Sequence, residues 1–195
     1  MTKENVIRYF RDLPELETER LLLRRMKKLD YRDMYDYACR EDVTQYLTWY
    51  PHPNPMYTLR YLTYIVTRYR AGEFFDWAVV CKENRKMIGT CGFTTFHYEH
   101  NSAELGYVLH PDYWGKGLAP EAVRAVMDIG FRTFQLHRIE ARFMEGNDRS
   151  RRVMEKVGMT FEGMQRESMY IKEHYVTVGS CAILSSEYRP GDYTT

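Results

Sequence analysis

The sequence predicts an α/β (α+β) domain on a mixed sheet, and three observations predict it. Hydrophobic periodicity alternates along the chain in the order β-α-α-β-β-β-α-β-α-β-β. No Gly/Ser-rich linker, internal repeat or low-complexity stretch divides the 195 residues, and a 44% hydrophobic content suffices for a core. One domain over 1–195, with its core at about 18–188, is expected. The third observation is the stretch HPDYWGKGLAPEAVRAVMDIGF, His110 to Phe131, where small residues stand directly before a helix.

The elements follow in order. The opening MTKENVIRYFRDLPELE is polar and charged, so the first strand is placed at TERLLLRRM, Thr18 to Met26. Asp30 is a candidate N-cap for the next helix, where Met34, Tyr37 and Ala38 recur at helical spacing. The three prolines of WYPHPNPMY, Trp49 to Tyr57, require an extended connection. Leu59, Leu62, Ile65 and Tyr69 mark an amphipathic helix over Met56 to Ala71 that Gly72 ends. FDWAVVCKENRKMIGTCGFTTF reads as two strands around a polar turn at Glu83 to Arg85, and Ser102 to Leu109 as a third. After the helix that runs to about Thr133 come the strand RIEARFM, a helix between Asn147 and Gly158, and strands at Met159 to Tyr170 and His174 to Leu184.

Composition excludes several classes. Lys plus Arg is 28 and Asp plus Glu 27, a net charge of +1 without single-sign runs, so charge gives no support for nucleic acid or an anionic membrane as partner. No apolar run approaches the ~18 residues of a membrane helix. Cys39, Cys81, Cys91 and Cys181 form no CxxC pair and stand near no histidine cluster. They read as reduced, mostly buried thiols of a cytoplasmic protein, with no metal site.

The glycine-rich turn carries the chemistry. Glycines without a Cβ let backbone approach a ligand, and the first turn of a helix offers unpaired N–H groups with about half a unit of positive charge. GKG followed by Leu-Ala lacks the Ser or Thr of a Walker loop, and the strands before it do not fit a dinucleotide-binding first βαβ unit. Two readings remain from the turn itself, a pyrophosphate site and a plain glycine-containing helix start.

With the second helix included, AELGYVLHPDYWGKGLAPEA followed by NDRSRRVMEKVGM and FEG resembles the GNAT superfamily of acyl-CoA-dependent N-acyltransferases. Within it, the chain is similar to the branch that acetylates ribosomal-protein N-termini, over roughly Thr18 to Tyr188. The resemblance implies a mostly antiparallel sheet of about six or seven strands flanked by about four helices, with strands splayed at the acyl-CoA site. It implies acetyl-CoA as co-substrate and no metal. The family's pyrophosphate loop falls on Trp114, Gly115, Lys116, Gly117, Leu118 and Ala119, with Trp114 where Gln or Arg is usual. Val108 and Leu109 would offer backbone groups to the pantetheine arm and the thioester. Asn147 and Ser150 would line the coenzyme, and Asn147 is equally an ordinary helix N-cap.

Acyl transfer to nitrogen needs a neutral amine, a polarised carbonyl and a proton for the leaving thiolate. At pH 7.5 about a quarter of an α-amine is neutral against about one lysine in a thousand, so an N-terminal acceptor asks less of a base. Glu104 is the candidate base, directly or through water, and would also attract a cationic amine; its other reading is a surface carboxylate on a sheet edge. The position that matches the family's acid Tyr is Met154, which donates no proton. Ser150 stands in register to hydrogen-bond the thiolate or relay a proton. His97 and His100 read as residues of a solvated turn, and His110 as a local hydrogen-bonding residue. Trp49 and Tyr50 are candidates for the acceptor pocket or for simple loop packing.

The expected activity is therefore acetyl-CoA-dependent N-acetylation of a primary amine, a protein or peptide N-terminal α-amine first, by direct attack in a ternary complex. The alternatives are a small-molecule acetyltransferase acting on a polyamine, aminoglycoside or amino acid, and a non-catalytic acyl-CoA-binding module. The aromatic segments WYPHPNP and FHYEHN carry few carboxylates, which leans towards peptide or small neutral amines. Exposed sheet edges near the C-terminus suit a homodimer.

Overall fold

The chain begins with an element that the charge of its first residues conceals. Helix α1 (Lys3–Arg11) is capped by Thr2, whose hydroxyl accepts from the Asn5 amide at 3.3 Å, and it buries Val6 and Phe10. The Phe10 ring meets Phe75, Trp77, Phe96 and Phe134 with centroids 4.9–6.0 Å apart. Val6, Phe10 and Leu13 belong to the core, which therefore starts well before residue 18.

The computed structural model describes residues 1–190. After α1 come β1 (Leu16–Glu17), β2 (Leu21–Arg24), α2 (Tyr31–Ala38), α3 (Glu41–Thr44) and α4 (Pro55–Ala71). Then follow β3 (Asp76–Cys81), β4 (Met87–His97), β5 (Ser102–Leu109), α5 (Leu118–Asp128), β6 (Arg138–Met144), α6 (Asp148–Lys156), β7 (Thr160–Ile171) and β8 (His174–Leu184). All described strands form one sheet in the order β1-β2-β3-β4-β5-β6-β8-β7. Every pair is antiparallel except β5 with β6. The class is the one expected, with eight strands in place of six or seven and six helices in place of four. The additions are short or amphipathic pieces: β1, α3 and α1.

Local chemistry explains the boundaries. Asn54 caps α4 by accepting from the Tyr57 amide at 2.9 Å, Pro55 opens the helix, and Gly72 closes it at φ 69. A Cβ on Gly72 would lie 2.2 Å from the Ile7 carbonyl oxygen, so α4 and α1 meet through a residue without a side chain. Asp30 does not cap α2 with its side chain. It sits in αR geometry at the end of a one-turn 3-10 helix, and its carboxylate takes both Arg24 terminal nitrogens at 2.7 and 2.8 Å and the Lys27 amide at 2.7 Å. This buried, bidentate pair fixes β2 against the start of α2. The helix from Leu118 ends in a π-helical turn, Ile129–Thr133, which includes the residue 133 expected as its end.

Cys81, Cys91 and Cys181 are buried, Cys39 is half-buried, and all four are free. Among the described residues no group of His, Cys, Asp and Glu is arranged to hold a metal ion, and no helix is long and apolar enough to cross a membrane.

Candidate active site

The site begins where two strands part. β5 and β6 pair only from Ser102 with Arg138 to Glu104 with Glu140, yet β5 runs on to Leu109 and β6 to Met144. Beyond Glu104, β5 stays with β4 and β6 with β8, so a gap opens in the middle of the sheet. The register decides which backbone groups face it. The His110 amide donates to the Ile88 carbonyl, and the Val108 carbonyl lies against Gly89, so alternate residues 106, 108 and 110 turn their backbone towards β4. Tyr107 and Leu109 turn theirs to the gap. Val108 lines the site with its side chain instead, and the Leu109 carbonyl already accepts from the Trp114 indole at 2.7 Å.

Side chains of neighbouring strands form two rows. Asp76, Gly92 and Gly106 lie in register across β3, β4 and β5, and Trp77, Cys91 and Tyr107 form the next row. Alternation sends the two rows to opposite faces. On the Tyr107 face the phenol lies 2.9 Å from the Ser150 hydroxyl and donates to the Ser150 carbonyl at 2.9 Å, joining β5 to α6. Burial pushes the Tyr107 phenol up from its usual value, and the bond to Ser150 opposes this. On the other face stand Asp76, Thr90 and Glu104.

A cavity of about 420 Å³ passes through the gap, from Asp76, Thr90 and Glu104 to Asn147, Ser150 and Met154. A larger one, about 1060 Å³, lies along the loop before α5 and the first turns of α6. They meet at Tyr46, Leu47, Tyr107, Val108, Asn147 and Ser150. Asn147 caps α6 by accepting from the Ser150 amide at 3.2 Å, which leaves it on the border of both cavities.

The larger cavity is lined by exposed loop backbone and by more cationic than anionic side chains, Arg149, Arg152 and Lys156 against Asp42 and Asp148. Gly115 and Gly117 take φ 75 and 77, a left-handed geometry that other residues adopt only at a cost. Nothing lies within 4 Å of a Cβ built on Gly115, so the loop offers bare backbone. Trp114, Gly115, Gly117, Leu118 and Ala119 line the cavity, whereas the Lys116 ammonium lies over the Tyr113 ring at 5.3 Å and its carbonyl takes Arg20 at 2.9 Å. Glu121, in the first turn of α5, is pinned by the Thr18 hydroxyl at 2.6 Å and by Arg20 at 2.7 Å, which ties the loop to β2. Arg149, Arg152 and Lys156 add cationic side chains, and the Arg149 guanidinium sits 4.7 Å over the Trp114 ring. The row DRSRRVMEK carried that signal, which a reading confined to Asn147 and Ser150 passes over.

On the face that carries Asp76 and Thr90, Glu104 is half-buried mid-sheet, 3.4 Å from Arg142, which also contacts Glu140 at 3.2 Å. Burial raises its pKa above the usual carboxylate value, against the lowering effect of Arg142. Trp49 lines the smaller cavity and packs near His52 at 5.3 Å. Tyr50 does not line it: the residue is 60% exposed, with the Lys172 ammonium 5.5 Å from its ring. His97 precedes and His100 ends a 3-10 turn, and His110 accepts from the Asp112 amide at 3.1 Å.

A sheet opened between its one parallel pair, with a glycine loop and a helix start beside the opening, defines an acyl-CoA acyltransferase fold. Residues 20–160 match the model of the acetyltransferase (GNAT) domain, and the chain belongs to that family. It is 32% identical over 173 residues, 89% of this chain and 97% of the relative, to an uncharacterized N-acetyltransferase p20 of Bacillus licheniformis. It is 29% identical to a spermidine N(1)-acetyltransferase of Vibrio cholerae over 110 residues, 56% of this chain and 64% of that one. The fold matches the ribosomal-protein-S5-alanine acetyltransferase from Vibrio fischeri at a TM-score of 0.72 and 24% identity, covering 91% of this chain and all of that one. The protein is thus an N-acetyltransferase, and enzymes of this family use acetyl-CoA. The bare loop, the α5 start and the basic side chains of α6 fit that co-substrate.

Proposed function

We propose that acetyl transfer occurs at the β5–β6 gap, by direct attack of a primary amine on acetyl-CoA within a ternary complex. The observation that carries this reading is the meeting of the two cavities at Tyr107, Val108, Asn147 and Ser150. It supports entry of the coenzyme from one side and of the amine from the other. Acetyl-CoA supplies the acyl group as an activated thioester. Glu104 takes the proton of the amine, directly or through a water, and its raised pKa brings it nearer the working range of a base. The backbone of Tyr107 and Leu109 faces the place where a carbonyl needs polarising. The Tyr107 and Ser150 hydroxyls, 2.9 Å apart, form a pair able to hydrogen-bond the departing thiolate, which compensates for Met154.

For the acceptor, the α-amine of a protein or peptide N-terminus is the first reading, supported by the sequence resemblance and by the name of the Vibrio fischeri structure. A small polycationic amine is the second. It is favoured by Asp76, which has no ion-pair partner among the described residues, and by Glu104, whose partner is Arg142; the third lining carboxylate, Glu73, is paired with Arg68 at 2.8 Å. The carboxylates come from the start of β3 and from β5, not from the aromatic segments that lean towards neutral amines. Mass spectrometry of peptides, polyamines, aminoglycosides and amino acids incubated with enzyme and acetyl-CoA tests both. Gain of one acetyl group on a primary amine supports the reading, and no acetylated product from any class contradicts it.

A further inference from the structure

Asp76 is the polar group that the reaction at the gap leaves unused. It opens β3 and lines the acceptor cavity, and its Oδ1 is closed to water and has no hydrogen-bond partner. Among the described residues it has no ion-pair partner. The Thr90 hydroxyl and the Trp77 amide hydrogen-bond its carboxyl, and burial, the dominant influence, pushes its pKa up to about 7. The titratable groups within its electrostatic reach are Tyr37 on α2, Tyr61 and Tyr69 on α4 and Cys91 on β4, all raised and hence neutral near pH 7. No protein cation answers this carboxyl.

The strip beside it carries no Cβ, and the Thr94 methyl leans over its far end, 2.8 Å from where a Gly106 Cβ would stand. Asp76, Gly92 and Gly106 occupy one row, and a Cβ on Gly92 would stand 2.4 Å from the Asp76 Cα and 2.7 Å from its Oδ1. Glycine at that position makes room for the carboxyl. Glu104, two residues before Gly106, lies on the same face at the far end of the strip. Two strand spacings, about 10 Å, separate the backbones of Asp76 and Gly106. One carboxylate therefore stands at the gap and another at a distance that a linear aliphatic chain spans.

We propose that Asp76 is an anionic subsite of the acceptor cavity that takes the second ammonium group of a linear di- or polyamine, whose reacting amine lies beside Glu104 at the gap. The assignment rests on the amine-acetylating reading above and decides between its two acceptor classes. A buried carboxyl without a partner is costly, and a ligand ammonium supplies a charge-assisted bond where the protein supplies none.

Calorimetric titration of the coenzyme A-saturated protein with spermidine and with n-butylamine tests it. The preference for spermidine over n-butylamine is expected to fall at least tenfold in Asp76→Asn. In the wild type at pH 6, titrations in two buffers of different ionisation enthalpy should show more proton release on binding of spermidine than of n-butylamine, the excess coming from ionisation of Asp76. That second measurement needs no variant to fold. An unchanged preference in a folded Asp76→Asn protein, no spermidine binding to the wild type, or absence of proton release overturns the subsite. So does proton release with spermidine no larger than with n-butylamine, or tighter binding of a free-N-terminus peptide without basic side chains than of spermidine. Failure of every amine to accelerate coenzyme A release would instead overturn the acetyltransfer reading, so the two failures are distinguishable.

Discussion

The two sides of the β5–β6 gap are built by different means. The side proposed for the coenzyme is made of backbone and of neighbours in sequence: the left-handed Gly115 and Gly117, the start of α5, and Asn147 capping Ser150. The acceptor side is made of side chains brought from five separate places: the segment 46–49, Asp76, Thr90, Glu104 and the β7–β8 pair. One side is a local device and the other a tertiary one. Substitutions on the two sides should therefore fail in different ways, in coenzyme affinity on one and in turnover or acceptor choice on the other.

The sharpest separation is expected from Glu104→Gln. Loss of a general base should lower kcat by about 100-fold or more, while the acetyl-CoA dissociation constant changes less than about twofold. Steady-state kinetics alongside calorimetric coenzyme binding checks this, and a parallel loss of both would merge the two sides. Tyr107→Phe removes the hydroxyl that joins β5 to α6 and should lower kcat by about tenfold, read in single-turnover experiments with acetyl-CoA saturating. An unchanged rate would leave Ser150 as the sole hydroxyl involved.

Gly117→Ala probes the other side. A left-handed alanine costs roughly 1–2 kcal/mol, so acetyl-CoA binding should weaken by about tenfold with the acceptor KM, taken at saturating acetyl-CoA, unchanged. The smallest expected effect is a stability change that depends on pH. Asp76 holds its proton up to about pH 7 when folded but releases it near pH 4 when unfolded, so its own contribution to stability falls as pH rises from 4 to 7. Asp76→Asn removes that loss and should raise Tm at pH 8 by a few degrees relative to wild type, with the gain shrinking towards pH 4 in thermal scans.

The same contrast explains what was legible in the sequence. The turn at 114–119 and Asn147 could be read because a glycine loop and a helix cap are neighbours in the chain, and because helical and strand periods mark the elements between them. Tyr107 was hidden among seventeen tyrosines, although the alternation of β5 would have turned it away from Glu104. Asp76 carried no local signal: its burial comes from α2 and α4, and its place in the cavity comes from its register with Gly92 and Gly106. The helix α1 was masked because seven charged residues surround Val6 and Phe10 over the opening segment MTKENVIRYFRDLPELE. Tyr50 shows the converse, an aromatic residue next to a lining tryptophan that is itself turned to solvent.

The most direct test of the account is chromatographic measurement of coenzyme A released from acetyl-CoA, with and without primary amines. Chromatography avoids thiol dyes, with which the half-buried, free Cys39 would react. The account predicts release that depends on the amine and is nearly abolished in Glu104→Gln. Acetyl-CoA binding with no amine-dependent release across peptides, polyamines, aminoglycosides and amino acids would contradict it, and would leave the fold as a coenzyme-binding module.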